Sequence, residues 1–406
     1  MKNTKQFDDF LKEIRLTKSQ NEAAKQGHEL LRDQLVHDEG LKPLIMTTFL
    51  QGSYRRSTIV KPQGDEKPDV DLVVVGRFHP QSPPDYVLGL FEPFVEKHYP
   101  GKWERQGRSI GIKKADIELD LVVTREPPET VAKSAIFAEA FADPLFNTRF
   151  DNSYSNSLFG DGVTTIEEAY AKERENATFA EGVQKFDRAH LAAAQERLAA
   201  WQENPLEIPD RDLKIWAETH PMAQMEWTKI KNSNTNGHFV DTVRAIKWLK
   251  AQDGLFPKYP KSYPLEHMVG DCCPDGIRSV AEGVVETLEQ MVRTYGEHAS
   301  YRQVPVLRDR GCKTANVMDR VDGGDFWEFM GRIEVAARTA RQAFECEDKA
   351  ESSQIWHGLF GQDFPVVDGS SQDNSPRAGR IAAVAAAGGF SERHEPVEDI
   401  TPTRFA

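Results

Sequence analysis

The stretch FLQGSYRRSTIVKPQGDEKPDVDLVVVGRF, residues 49–78, decides how the chain is read. An apolar run ends in Gly52-Ser53, and sixteen residues after Ser53 an Asp-Val-Asp triplet opens a valine-rich run. β-Branched residues favour strands, so 44–52 and 69–76 are predicted as two strands joined by a polar loop. Side chains alternate along a strand, so Asp69 and Asp71 share one face and Val70 takes the other. A strand that opens with two carboxylates on the same side needs a reason.

The same alternation applies to ADIELDLVVT, residues 115–124. There Asp116, Glu118 and Asp120 lie opposite Ile117, Leu119 and Leu121. Asp116 falls at the strand start, in solvent. Glu118 faces the same way as Asp120 and offers a fourth acid. Two neighbouring strands would thus present three carboxylates at one end of a sheet. Crowded carboxylates repel and are costly to desolvate. Divalent cations remove that cost, and a pair of them about 3.5–4 Å apart clamps the attacking and leaving oxygens of a phosphoryl displacement. The Gly-Ser pair supplies the complementary half. Gly52 lets backbone approach a phosphate, and Ser53 offers a hydroxyl and helix-starting N–H groups. Ser57 and Thr58 extend that cradle, and Arg55 and Arg56 are placed to neutralise charge.

Outward from this centre, residues 3–16 and 19–38 read as amphipathic helices, with Thr17 or Ser19 at the break as cap. Residues 83–99 read as a helix and 103–124 as two or three strands. The first third is therefore a helix-flanked mixed sheet. From 125 to 210 the pattern is irregular, with an Ala-rich helix near 188–201 and a Pro-rich junction at 203–212. Helical periodicity then returns at 236–252, 277–296 and 324–349. The expected organisation is α+β: a core with N-terminal helices over 1–204, a helical lobe over 205–366, and a flexible Gly/Ser/Ala/Pro-rich tail over 367–406.

The chain has 406 residues, too many for one ordinary core, and 39% are apolar, enough for a globular protein. A net charge of −13 argues against binding long nucleic acid, which rests on many Lys and Arg contacts. It leaves room for a small phosphate ligand held by a few cations and a metal. The N-terminal thirty residues are polar, and no apolar run approaches spanning length, so no membrane association is expected. Cys272, Cys273, Cys312 and Cys346 form no paired spacing, which reads as a reducing cytoplasm. His267 lies near Cys272 and Cys273, but a fourth ligand at zinc-site spacing is missing, so these are read as ordinary thiols.

GSYRRST, DVDLVVV and IELDLVVT together resemble the polymerase-β-type nucleotidyltransferase pattern of a Gly-Ser loop, a D-x-D and a third Asp. More narrowly, the chain resembles the bacterial cGAS/DncV-like nucleotidyltransferases (CD-NTases) of anti-phage CBASS systems, clade D. VRAIKWLKAQ, YPKSYPLEHMVG, VPVLRDRGCKTANV and IWHGLFGQDFP resemble that family's helical domain.

The resemblance implies a bilobed enzyme with nucleotides in the cleft between a mixed sheet and a helical lobe. It implies a cyclic oligonucleotide synthase working on ATP, with or without GTP, and favours an adenine-rich cyclic trinucleotide. By match to the motifs, Asp69, Asp71 and Asp120 become catalytic ligands of two Mg²⁺ ions, for which Mn²⁺ substitutes. Gln51, Gly52 and Ser53 become acceptor- or phosphate-loop residues. Lys247 and Ser262 match the triphosphate-binding Lys and Ser. Asp309 matches a base-contacting position, although Arg310 stands where the family has Pro. Lys247 also flanks an apolar helical stripe of Val243, Ile246 and Leu249, from which it would snorkel to a cleft edge. His220 reads as structural. The family further implies an E1/E2-like ligase acting at Ala406 of the terminal TPTRFA, or a HORMA-type regulator, in a bacterial cytoplasm. Two rival readings stay open: a linear oligoadenylate-type transferase, and a silent nucleotide-binding scaffold.

Overall fold

The computed structural model describes residues 3–79, 81–125, 205–252 and 255–367. The Ala-rich helix expected near 188–201, the tail expected beyond Val367 and the conjugation site at Ala406 lie outside them.

Seven strands form one mixed sheet: β1 (Ile45–Gln51), β2 (Asp69–Gly76), β3 (Trp103–Arg105), β4 (Ile110–Lys113), β5 (Glu118–Arg125), β6 (Leu206–Asp210) and β7 (Ile215–Thr219). Its order is β1-β2-β5-β4-β3, with β6 and β7 continuing from β5. The central pair β2 and β5 is parallel, and the other pairings are antiparallel. Val70, Leu72, Val73, Val74 and Val75 are all fully buried. A strand covered on both faces calls for such a continuous apolar run.

Helices α1 (Thr4–Glu13), α2 (Lys18–His37), α3 (Gly52–Arg55) and α4 (Pro84–His98) lie in the first third of the chain. Thr17 caps α2 with a capping box. Its hydroxyl accepts from the Gln20 N–H at 3.2 Å, and the Gln20 side chain accepts from the Thr17 N–H at 2.9 Å. Leu31 and Leu35 of α2 and Leu88, Phe91 and Val95 of α4 pack on Leu72, Val74, Leu119 and Leu121. On the opposite face, Val73, Val75 and Val122 pack with Leu206 of β6 and with Met222 and Met225 of α5 (Pro221–Asn234).

Among the described residues the remaining helices are α6 (Phe239–Ala251), α7 (Ser262–Cys272), α8 (Val280–Ser300), α9 (Gly323–Glu345) and α10 (Lys349–Phe360). They share a second core with Phe7, Phe10 and Leu11 of α1 and with Ile14, which follows it. Phe10 lies 4.6 Å from Phe360 and Phe7 lies 5.0 Å from Trp356, ring centre to ring centre. The first helix is thus part of the helical lobe's core, although the whole sheet separates the two in sequence.

Two expectations are corrected. The junction read at 203–212 is the start of the β6–β7 hairpin, which lengthens the sheet. Pro209, which cannot donate to a ladder, masked the strand, but it sits where pairing with β7 tolerates it. The helix read over 324–349 ends at Glu345, and Lys349–Phe360, a stretch not read as helical, forms α10, whose start is capped where the Asp348 side chain accepts the Glu351 N–H at 2.7 Å. Among the described residues no helix is long and apolar enough to cross a membrane.

Candidate active site

Parallel pairing of β2 with β5 sets Asp71 directly beside Asp120, and Asp69 beside Glu118. Adjacent strands are about 4.8 Å apart, so in-register carboxylates on one face must meet. Each of Asp69, Asp71 and Asp120 offers an oxygen within 4.8 Å of the others. Asp69 opens onto solvent, while Asp71 and Asp120 are half-buried. Burial, then Asp71, Asp120 and Glu118, push the Asp69 carboxyl up to about 8. Burial and then Asp71 push Asp120 up to about 7, against a hydrogen bond from Gln106. Burial also raises Asp71, opposed by the Arg56 guanidinium. Hard oxygen donors in a crowded, partly dehydrated cluster form a ligand set suited to a divalent cation.

β1 ends beside this cluster, with Gln51 opposite Asp71 in the antiparallel register. Gly52 follows with φ +73°, a left-handed backbone that non-glycine residues rarely take. A Cβ built there would lie 1.9 Å from Asp71 Oδ2. Glycine is therefore required twice over, by the turn and by the approaching carboxylate. Gly52–Arg55 form one helical turn, closed where the Thr58 and Ile59 N–H groups donate to the Ser53 carbonyl at 2.9 and 3.1 Å. The turn and Asp71 front a cleft of about 580 Å³.

The far wall comes from the helical lobe. Ser262 starts α7 and lines the cleft, as do Lys261, Tyr263 and Asp309. Asp309 Oδ1 accepts the N–H groups of Gly311 and Cys312 at 2.7 and 3.0 Å, while Oδ2 accepts the Tyr263 hydroxyl. Arg310, in place of the family's Pro, is held by the His267 carbonyl at 2.9 Å, by Asp271 at 3.0 Å and by the Trp227 face at 3.6 Å. His220 caps α5 through its ring, which accepts from the Ala223 N–H at 3.3 Å, matching its structural reading.

Lys247 is placed differently from Ser262. It is 8% exposed, and its ammonium donates to Glu266 Oε1 at 3.1 Å. Glu266 Oε2 accepts from Arg56 at 2.8 Å, and Thr58 donates to Oε1 at 3.0 Å. Burial alone would raise the Glu266 carboxyl, but Arg56 and Lys247 hold it down to about 2. Arg56 is marked in sequence as a cation placed to neutralise charge, but Glu266, Tyr263, Gln106 and Arg108 are not. Each depends on a partner distant in the chain, as Arg108 does on Asp210 at 2.8 Å. The one legible hint was Glu266, an acid four residues past Ser262, on the same side of α7. Cys272 and Cys273 are buried, with thiols pushed up by burial, Cys272 to about 11, which is the behaviour of inert core cysteines.

Residues 1–127 match the family model described as the Second Messenger Oligonucleotide or Dinucleotide Synthetase domain. The chain is 38% identical over 404 residues, 99% of each chain, to the cyclic AMP-AMP-GMP synthase of Enterobacter hormaechei subsp. hoffmannii (strain UCI 50). It is 36% identical over 408 residues, 100% of each chain, to the probable cyclic AMP-AMP-GMP nucleotide synthase of Salmonella paratyphi B. The CD-NTase CdnG of Bradyrhizobium diazoefficiens, solved in complex with GTP, shares the fold with a TM-score of 0.59 at 14% identity, over 94% of this chain and 97% of that one. Full-length similarity at this level, joined to a sheet that gathers three aspartates beside a Gly-Ser turn, establishes that the chain belongs to the cGAS/DncV-like nucleotidyltransferases, the CD-NTases, which synthesise cyclic oligonucleotide second messengers.

Proposed function

We propose that this enzyme joins ATP, with or without GTP, into a cyclic trinucleotide that serves anti-phage CBASS signalling. The observation that carries the proposal is the meeting of Asp69, Asp71 and Asp120 at a cleft whose other walls bear Gly52, Ser53 and Ser262. Two relatives named for cyclic AMP-AMP-GMP support the ring size and the adenine-rich composition.

In this reading Asp69, Asp71 and Asp120 hold the divalent cations, with Mg²⁺ the expected ion and Mn²⁺ a substitute. Bound there, such ions supply neutralisation of the carboxylates and polarisation of phosphoryl oxygens. The chain's own residues do the rest. Gln51, Gly52 and Ser53 receive phosphate on the sheet side, and Ser262 at the start of α7 receives it on the helical side. Asp309, fixed by Tyr263 and by its own turn, faces the base. Asp120, set beside Asp71 by the parallel register, accepts the proton of the attacking ribose hydroxyl. Repeated transfers within one cleft, followed by closure, give the ring. At the other end of the chain, an E1/E2-like ligase is proposed to act on Ala406, with a HORMA-type protein as the alternative regulator.

Purified enzyme incubated with ATP, GTP and Mg²⁺ should yield products that resist phosphatase and exonuclease, identified by mass spectrometry. Asp71→Ala should lower turnover by about 10³-fold or more with little loss of fold. Linear products would support the oligoadenylate-type reading instead. A folded Asp71→Ala variant of normal activity would remove the assignment.

A further inference from the structure

The geometry points to Gln106 as a positioning residue that aims the Asp120 carboxylate for nucleotidyl transfer. The inference rests on the role proposed above for Asp120.

Strand pairing lines up one row of residues across the sheet: Gln51 beside Asp71, Asp71 beside Asp120, Asp120 beside Gly111, and Gly111 beside Glu104. Paired residues project to the same face, with Cβ positions about 4.5–5.5 Å apart. Gly111 is the one member of the row without a side chain, so a gap opens between Asp120 and Glu104. The Gln106 amide fills it. A Cβ built on Gly111 would lie 2.5 Å from Gln106 Nε2 and 3.2 Å from its Cδ, so the amide stands where a side chain paired with Asp120 would stand. From there Gln106 donates a hydrogen bond to the Asp120 carboxylate.

Which end of the amide faces Asp120 is fixed by its other partner. The hydroxyl of Ser109, a residue 6% exposed, donates to Gln106 Oε1, which leaves Nε2 for the carboxylate. The backbone of the turn is held as well. The Gln106 N–H donates to the Ser109 carbonyl at 3.1 Å, and the Arg211 N–H donates to the Gly107 carbonyl at 2.8 Å. Arg108 donates to the buried Asp210 at 2.8 Å. The turn between β3 and β4 is thus tied to the β6–β7 hairpin, and from that anchorage Gln106 reaches over Gly111.

An Asp carboxylate turns over a broad range about its last side-chain bond unless a partner holds it. Asp71, Glu118 and Glu104 surround Asp120 with its own charge and cannot hold it. Gln106 supplies a neutral donor among these acids, and outer hydrogen bonds of this kind orient carboxylate ligands. An apolar side chain would fill the same gap but leave Asp120 free to turn. Because the amide is engaged at both ends, Gln106 acts through Asp120 and not on the nucleotide.

The test applies two independent perturbations to the full-length enzyme. Gln106→Met keeps the length of the side chain and removes the donor. Gly111→Ala keeps the donor and displaces it, since the end of a flexible side chain yields to the new Cβ. Each should lower kcat about 10–100-fold and weaken Mn²⁺ binding, read by calorimetry without nucleotide, about tenfold, while KM for ATP stays within about twofold. In a Gln106→Ala background the amide is gone, so adding Gly111→Ala should cost nothing further. Thermal midpoints of the same proteins allow kcat to be expressed per folded enzyme.

Two results would overturn the inference. One is Gln106→Met with kcat and Mn²⁺ affinity within about threefold of wild type. The other is Gly111→Ala costing as much in the Gln106→Ala background as in wild type, which would place its effect in the strand and not in the amide. A folded Asp120→Ala variant of normal activity would instead remove the role proposed for Asp120, so the two failures are distinguishable.

Discussion

Gly52→Ala places a methyl group where the fold has put the Asp71 carboxylate, one of the three proposed to hold the divalent cations. Its Cβ would sit 1.9 Å from Asp71 Oδ2 and 2.9 Å from Asp71 Cγ. Ordinary contact begins near 3.5 Å, so the carboxylate must retreat by roughly 1.5 Å or the turn must unwind. The backbone adds its own cost, since φ +73° penalises an L-residue by about 1–2 kcal/mol. A shift of about 1 Å in a reacting group can cost about 100-fold in rate, so kcat should fall by at least that factor. The control is Gly101→Ala. Gly101 has φ +65° and nothing within 4 Å of a Cβ, so it carries the strain without the collision. It should lower the unfolding midpoint by a few degrees and leave turnover unchanged. The assay is steady-state pyrophosphate release with Mg²⁺, paired with thermal unfolding of both variants. A Gly52→Ala enzyme whose kcat stays within threefold of wild type would refute the reasoning that Asp71 works at that exact approach.

The raised Asp69 and Asp120 carboxyls, at about 8 and about 7, give a pH signature. Folded values above the unfolded value of about 3.9 favour the folded state below that value, so metal-free stability should fall as pH rises from about 4 to about 8. Mg²⁺ should flatten that slope and bind more tightly with rising pH, releasing more protons at pH 7 than at pH 9; calorimetry in buffers of different ionisation heat would read this, and a pH-independent affinity would contradict it. Phe10→Ala should cost about 3–5 kcal/mol by denaturant unfolding, because Phe10 is fully buried against Phe360 and Phe364. A loss below about 1 kcal/mol would mean that α1 is not part of the helical lobe's core. Removing the last few residues, Ala406 included, should abolish ligase-dependent conjugation and spare nucleotide synthesis; loss of both would contradict the tail's proposed role.

Much of the architecture was legible because its signals are local. The valine run of β2, the Thr17 capping box and the apolar stripe of α6 each depend on residues within a few positions of one another. Lys349–Phe360 and the β6–β7 hairpin were less legible. A short acidic cap separates α10 from α9, and Pro209 disguises a strand that only its partner makes possible.

Strand alternation already placed Asp69 with Asp71, and Asp120 with Glu118, because a period of two is fixed by the backbone itself. The apolar context of LDLVV and the match to the family motif favoured Asp120 over Glu118 in sequence; the parallel register of β2 and β5 sets Asp120 beside Asp71 and Glu118 beside Asp69. Periodicity likewise placed Lys247 beside an apolar stripe, but not its counter-ion. Glu266 closes on it from another helix, with Arg56 arriving from the end of the Gly-Ser turn. The α1 aromatics, at the opposite end of the chain from Trp356 and Phe360, show the same limit. Spacing along the backbone dictates which side chains share a face. Which faces meet is decided only when burial brings distant segments together, and there the charge of the cleft floor is set.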